Sequence, residues 1–143
     1  MTALCGQPGS PTFGISLKII MEHPTFGNGK ICYIEMPAID VQQSAAFYEA
    51  VFGWNIRRRD DGATSFDDGV GEVSGVWTRR RKAVADPGFM ISVMVYDIYA
   101  TIEKIVAHGG VIVQPVGMDP PELTAHFTDP AGNRLGLFQH NPK

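Results

Sequence analysis

Two side chains in this sequence are suited to proton transfer, the imidazole of His126 and the carboxylate of Glu35. An imidazole titrates at about pH 6.5, so it can donate or accept a proton near neutrality, and a carboxylate can act as a base. Both residues are therefore candidate catalytic residues. The alternative is a structural role, an ion pair for Glu35 and a hydrogen bond to a neighbouring strand for His126.

The common motifs of nucleotide and hydrolase chemistry are absent from the sequence. It contains no phosphate-binding P-loop, no GxGxxG after a strand, no GxSxG turn and no CxxC pair. The two cysteines, Cys5 and Cys32, have neither a metal-ligand spacing nor the number needed for a disulfide framework. This cysteine usage favours a reducing cytoplasm.

The composition is that of one globular domain, and its charge favours small-molecule or protein partners. The chain has 143 residues, 44% of them hydrophobic, and a net charge of −3. Because it carries no overall basic field, we expect it to bind neither nucleic acid nor a membrane surface. The longest nearly unbroken apolar run, residues 89–96, is much shorter than the roughly 20 residues of a membrane-spanning helix.

The elements that position these residues begin with a strand at residues 30–37, where apolar and polar side chains alternate. Asp40 then offers a helix N-cap, with Gln43 in a capping-box position, and Gly53 ends the helical pattern. Three short strands separated by turn signals follow, at residues 54–58, 64–67 and 72–78. The predicted order is β-α-β-β-β.

The same order recurs in the second half of the chain. The spacing from Asp40 to Asp97 equals the spacing from Gly53 to Gly110, so the start and the end of the helix repeat together. The strands of the second copy are predicted at residues 89–95, 111–115, 123–128 and 134–139. The chain thus divides into an extension that we expect to be flexible (1–29), a first module (30–78), a linker (79–88), a second module (89–139) and a tail (140–143).

The repeat resembles the vicinal oxygen chelate superfamily, which includes glyoxalase I, bleomycin-resistance proteins, methylmalonyl-CoA epimerase and extradiol dioxygenases. The resemblance rests on Ala-Ala-Phe-Tyr-Glu-Ala-Val-Phe-Gly-Trp at residues 45–54 and Phe-Thr-Asp-Pro-Ala-Gly-Asn at residues 127–133. It implies an α+β fold in which two curved sheets meet over a cavity, with helices outside. It also implies a homodimer.

Metal-dependent members of this superfamily place ligands at four strand positions. By the resemblance these positions fall on Tyr33, on Ser74 or Gly75, on Met90 and on Gly136. None of these side chains offers an imidazole or a carboxylate, the donors that hard and borderline divalent metals prefer. We therefore expect no metal and no other cofactor.

Strand alternation predicts which side chains line the implied cavity. In the last hairpin, a turn at residues 129–133 with Gly132 in the left-handed position pairs residue 128 with 134 and residue 126 with 136. His126 then shares a face with Gly136 and Arg134. The predicted ligand-binding residues are Tyr33, Glu35, Met90, Ser92, Met94, His126 and Phe138.

Two functions remain open at this point. The first is metal-independent binding of a small amphipathic or aromatic molecule in the cavity, as in bleomycin-resistance proteins. The alternative is a lyase or isomerase of the glyoxalase kind, in which His126 and Glu35 transfer protons or a metal binds at other positions. The identity of the four ligand positions favours binding.

Overall fold

The computed structural model describes residues 23–140, which form an α+β fold of two helices and eight strands. In chain order the elements are β1 (Tyr33–Pro37), α1 (Val41–Phe52), β2 (Asn55–Arg58), β3 (Thr64–Asp67), β4 (Ser74–Thr78), β5 (Ser92–Val95), α2 (Ile98–Ala107), β6 (Val111–Gln114), β7 (Thr124–Thr128) and β8 (Arg134–Gln139). The β-α-β-β-β order occurs twice, as predicted. Neither helix within this part of the chain has the length and apolar character needed to span a membrane. The expectations for residues 1–22 and 141–143 lie outside the described residues.

Both helices begin at the predicted caps, α1 ends at Gly53 as predicted, and α2 ends at Ala107, shortly before the predicted Gly110. The side chain of Asp40 accepts a hydrogen bond from the backbone N–H of Gln43, and that of Asp97 accepts one from Ala100. These bonds satisfy N–H groups that have no partner within a helix. Gly53 closes α1 with a left-handed φ of 71°, a conformation that costs glycine little.

The eight strands form two separate four-stranded sheets. The first sheet has the order β1-β4-β3-β2 and the second β5-β8-β7-β6, with the β1–β4 and β5–β8 pairs parallel and the other pairs antiparallel. Several strands are shorter than predicted, because the ladders start at Tyr33, Ser74 and Ser92 rather than at residues 30, 72 and 89. The two sheets do not close into one barrel within a single chain.

One hydrophobic core serves both modules. The helices contact each other and pack on the inner faces of the sheets. Phe47 and Tyr48 of α1, Phe66 of the first sheet, and Phe127 and Leu137 of the second sheet are almost completely buried. The ring centroids of Phe47 and Phe127 lie 6.1 Å apart, so an aromatic contact joins the modules directly.

The turn between β7 and β8 is fastened to the first module by two hydrogen bonds. The hydroxyl of Tyr48 donates to Asp129 Oδ2 at 2.8 Å, and Asn133 Nδ2 donates to the backbone oxygen of Pro37 at 2.8 Å. Burial, and then the charge of Asp129, hold the pKa of Tyr48 well above its ordinary value. Tyr48 therefore remains a neutral donor to the buried carboxylate.

Part of the predicted N-terminal extension is attached to the first sheet. The carboxylate of Glu72 accepts hydrogen bonds from the backbone and hydroxyl of Thr25, is 2.9 Å from His23 Nδ1, and pairs with Lys30 Nζ at 3.3 Å. The side chain of Glu72, just before β4, thus anchors residues 23–30.

Candidate functional site

Each sheet has one face that points away from the core, here called its open face. On the second sheet, Gly136 is paired with Ser92 on one side and with His126 on the other, and Thr128 is paired with Arg134. This register confirms the pairing predicted for the last hairpin. Gly132 has φ +94°, as the predicted turn requires. The inner face of the same strands is buried, whereas His126 is only partly buried.

Because Gly136 has no side chain, Ser92 and His126 come together over it on the open face of the second sheet, at a place that we call the notch. A Cβ atom at this position would lie 2.6 Å from Ser92 Oγ and 3.6 Å from His126 Cδ2. The serine hydroxyl therefore takes up the space that a side chain at residue 136 would need, and the imidazole edge lies beside it. A ligand group seated over Gly136 would meet both.

The environment of His126 fixes its protonation. Arg134 Nη2 lies 3.0 Å from His126 Nδ1, and since a guanidinium can only donate, Nδ1 must accept and the proton must be on Nε2. Burial, and then the charge of Arg134, lower the pKa of His126 below its ordinary value, while Asp119 partly opposes them. The imidazole is therefore a neutral hydrogen-bond donor through Nε2 near neutral pH.

Apolar side chains lie beside the notch. Met94 of β5 is paired with Phe138 of β8 on the same open face, one step along the sheet from Ser92 and Gly136. Met94 is 60% exposed. Met90 precedes β5, outside the ladder, and is also exposed. The second sheet thus offers an apolar surface next to polar donors.

The remaining predicted site residues, Tyr33 and Glu35, lie on the open face of the first sheet. The pairing of Tyr33 with Ser74 resolves the register left open by the sequence, because a Cβ on Gly75 would instead meet Ile34 O and the buried ring of Phe66. Arg81 Nε donates to Glu35 Oε1 at 2.7 Å, and both side chains are well exposed. Glu35 therefore forms an ion pair, which is the structural role given above as the alternative to a catalytic one.

The structure brings only some of the predicted residues together. Ser92, Met94, His126 and Phe138 share the open face of the second sheet. Within residues 23–140, no hydrogen bond, ion pair or ring contact joins them to Tyr33 or Glu35. Sequence reasoning missed Arg81, since strand alternation says nothing about a side chain in the linker.

The residues at the four implied ligand positions do not fit a divalent metal. Tyr33, Ser74, Met90 and Gly136 supply neither imidazole nor carboxylate, and Ser92 Oγ occupies the space into which a side chain at residue 136 would extend. Among the described residues there is no cluster of three or more His, Cys, Asp or Glu side chains able to hold a metal ion.

Comparison with known proteins identifies relatives of the whole repeat. The model of the Glyoxalase/Bleomycin resistance protein/Dioxygenase superfamily matches residues 30–137. A glyoxylase-like domain-containing protein of Didymella fabae is 31% identical over 58% of this chain and 70% of its own length.

Two solved structures show the same fold at low sequence identity. TnmS3, described as an antibiotic binding protein from Streptomyces sp. CB03234, superposes with a TM-score of 0.61 at 19% identity, over 82% of this chain and all of its own. The fosfomycin resistance protein FosX of Listeria monocytogenes superposes with a TM-score of 0.65 at 14% identity, over 79% of this chain and 92% of its own.

Proposed function

Because this chain belongs to the glyoxalase/bleomycin resistance protein/dioxygenase superfamily, we propose that it binds a small aromatic or otherwise amphipathic molecule without a metal. The proposed site is the open face of the second sheet. The observation that carries the proposal is the notch at Gly136, flanked by Ser92 and His126. It stands at a position where metal-dependent relatives are expected to place a ligand.

The chemistry of the notch indicates which ligand group it would hold. His126 Nε2–H and the hydroxyl of Ser92 are both hydrogen-bond donors, so an oxygen acceptor of the ligand fits between them. Met94 and Phe138 would contact the apolar part of the same molecule. A few polar groups beside a larger apolar area is the usual composition of small-molecule sites.

The described activities of two structural relatives support this class of function. TnmS3 is described as an antibiotic binding protein and FosX as a fosfomycin resistance protein. Both descriptions concern small molecules. Because the sequence identity to each is low, they support the kind of ligand and do not identify it.

A second copy of the chain is the proposed partner. Tyr33 is 52% exposed on the open face of the first sheet, and Met94 is exposed on that of the second. Pairing the first sheet of one protomer with the second sheet of another would cover both apolar surfaces and complete the cavity. Proton transfer between His126 and Glu35 is less favoured, because Arg81 already neutralises Glu35.

The proposal is tested with 2-naphthol, a neutral aromatic probe whose oxygen can accept hydrogen bonds. Its fluorescence is titrated with the full chain and with His126→Ala, and we expect the substitution to weaken binding by ~1–3 kcal/mol. His108→Ala is the matched control, since His108 is exposed at the end of α2. A chelator is expected to change nothing. Equal affinity of wild type and His126→Ala, or binding that the chelator abolishes, contradicts the proposal.

A further inference from the structure

A second concavity lies where the linker crosses the junction between the two modules. It has a volume of about 160 Å³. Its apolar walls come from β1, the linker, the residues before β5 and the start of β8: Ile34, Met36, Val84, Phe89, Ile91 and Leu135. We call it the linker crevice.

The linker crevice carries an excess of positive charge. Lys82 and Arg134 both line it, and neither forms an ion pair with a carboxylate anywhere in residues 23–140. Among the described residues that line it, Glu35 is the only one with a carboxylate, and Arg81 Nε donates to that carboxylate at 2.7 Å. Two cations beside an apolar wall are therefore left without a counter-charge.

We propose that the linker crevice is a separate binding site for a small apolar carboxylate of about the size of benzoate. The positive charges of Lys82 and Arg134 favour an anionic group on the ligand. The apolar walls favour a hydrophobic remainder of the same ligand. An apolar cavity of about 150 Å³ accommodates a benzene ring, whereas sites for drug-sized ligands begin near ~300 Å³. The volume of the linker crevice is therefore suited to a ligand with a single ring or a short alkyl chain.

The linker crevice and the notch have different apolar walls, whereas Arg134, which lines the crevice, also contacts His126 at the notch. Its apolar walls include Ile34, Met36 and Leu135, which alternate with the open-face residues along β1 and β8. Met94 and Phe138 do not line it. Binding in the crevice can therefore be followed separately from binding at the notch.

Methyl-resolved NMR of the full chain titrated with benzoate tests the proposal. The methyl signals of Ile34, Val84 and Ile91 are expected to shift together and to saturate, while the Met94 methyl is not. Neutral benzyl alcohol is expected to bind more weakly, and added salt to weaken benzoate alone. Lys82→Gln should weaken benzoate roughly threefold to fivefold, as expected for a solvent-exposed charge pair.

Arg79→Gln is the matched control, since it removes the same charge from the same linker but does not line the crevice. The proposal is overturned if the crevice methyls do not respond to benzoate, if benzyl alcohol binds equally well, or if the two variants lose affinity equally. Shifts of the Met94 methyl alone would place benzoate at the notch instead. Crevice shifts that follow protein concentration would identify a second copy as the occupant and would likewise refute it.

Discussion

Ser92 Oγ lies 2.6 Å from the point that a Cβ atom on residue 136 would occupy, so a side chain at residue 136 would require Ser92 to turn to another rotamer. The conflict at this position is steric and does not concern the backbone conformation, since the φ angle of Gly136 is not in the left-handed region. The serine and the glycine therefore act as a pair, and each limits what the other position can hold.

Gly136→Ala is expected to destabilise the fold by ~1 kcal/mol, because the added methyl group collides with Ser92 Oγ and forces that hydroxyl out of its present rotamer. Ser92→Gly in the same chain removes the collision and should recover most of the loss. Urea denaturation of the two single variants and the double variant measures this coupling. Gly88→Ala is the control, since a Cβ there meets no atom within 4 Å. Equal losses with and without Ser92 would show that the contact is not the cause.

Metal analysis of protein purified without chelator is expected to find no stoichiometric divalent metal. The double change Ser92→Gly and Gly136→Glu clears space for a carboxylate, yet it should not create a metal site, because Tyr33, Ser74 and Met90 still lack suitable donors. About one Zn, Fe, Mn or Ni per chain in the wild type would contradict this prediction.

Leu137→Ala is expected to cost ~2–5 kcal/mol of stability, since Leu137 is almost completely buried on the inner face of β8 and its removal leaves a cavity. Phe138→Ala, one residue further on the open face, should cost less stability and more affinity for 2-naphthol. Chemical denaturation and fluorescence titration of both variants separate the two effects. The reverse ranking in stability would mean that the assignment of faces is wrong.

The imidazole of His126 is expected to titrate below its ordinary pKa of about 6.5. Between its folded pKa and that ordinary value the unfolded chain binds more protons, so stability rises with pH across this window and is lost as pH falls through it. NMR titration of the imidazole measures the shift. Arg134→Gln should raise the pKa of His126 only part of the way, because burial is the larger cause. An unchanged pKa in that variant would exclude a role for Arg134.

Glu72→Ala is expected to release residues 23–30 from the first sheet. The amide of Thr25 donates to Glu72 Oε1, so its hydrogen exchange should accelerate, and Glu49→Ala on the exposed face of α1 is the control. The hydrogen bonds from Thr25, and then His23, lower the pKa of Glu72 from 4.5 to about 2. The stabilisation is therefore present above pH 4.5 and is lost as pH falls towards 2. Unchanged exchange at Thr25 would exclude the anchor.

The sequence predicts the local structure well, because local signals determine it. The caps at Asp40 and Asp97, the turn at Gly132 and the alternation along β8 each depend on a few neighbouring residues. The family was likewise evident from the repeat and its motifs.

The contacts between distant residues could not be predicted in the same way. Tyr48 and Asp129 are 81 residues apart, and the ion pair of Arg81 with Glu35 depends on the path of the linker. Neither of these two contacts can be inferred from a periodic pattern of apolar and polar residues. The separation of Glu35 from His126 could not be predicted either. Strand alternation shows which side chains share a face of one sheet, but it does not show where one sheet lies relative to the other.

The attachment of the β7–β8 turn to the first module makes the two halves of the chain depend on each other. Asp129 and Asn133 reach across to Tyr48 and Pro37, whereas the corresponding part of the first module anchors residues 23–30 through Glu72. The two modules therefore make different contacts and are not interchangeable. A gene fragment encoding either half would produce a chain with half a core, and replacing the first half by a second copy of the second half would leave the buried carboxylate of Asp129 without its tyrosine.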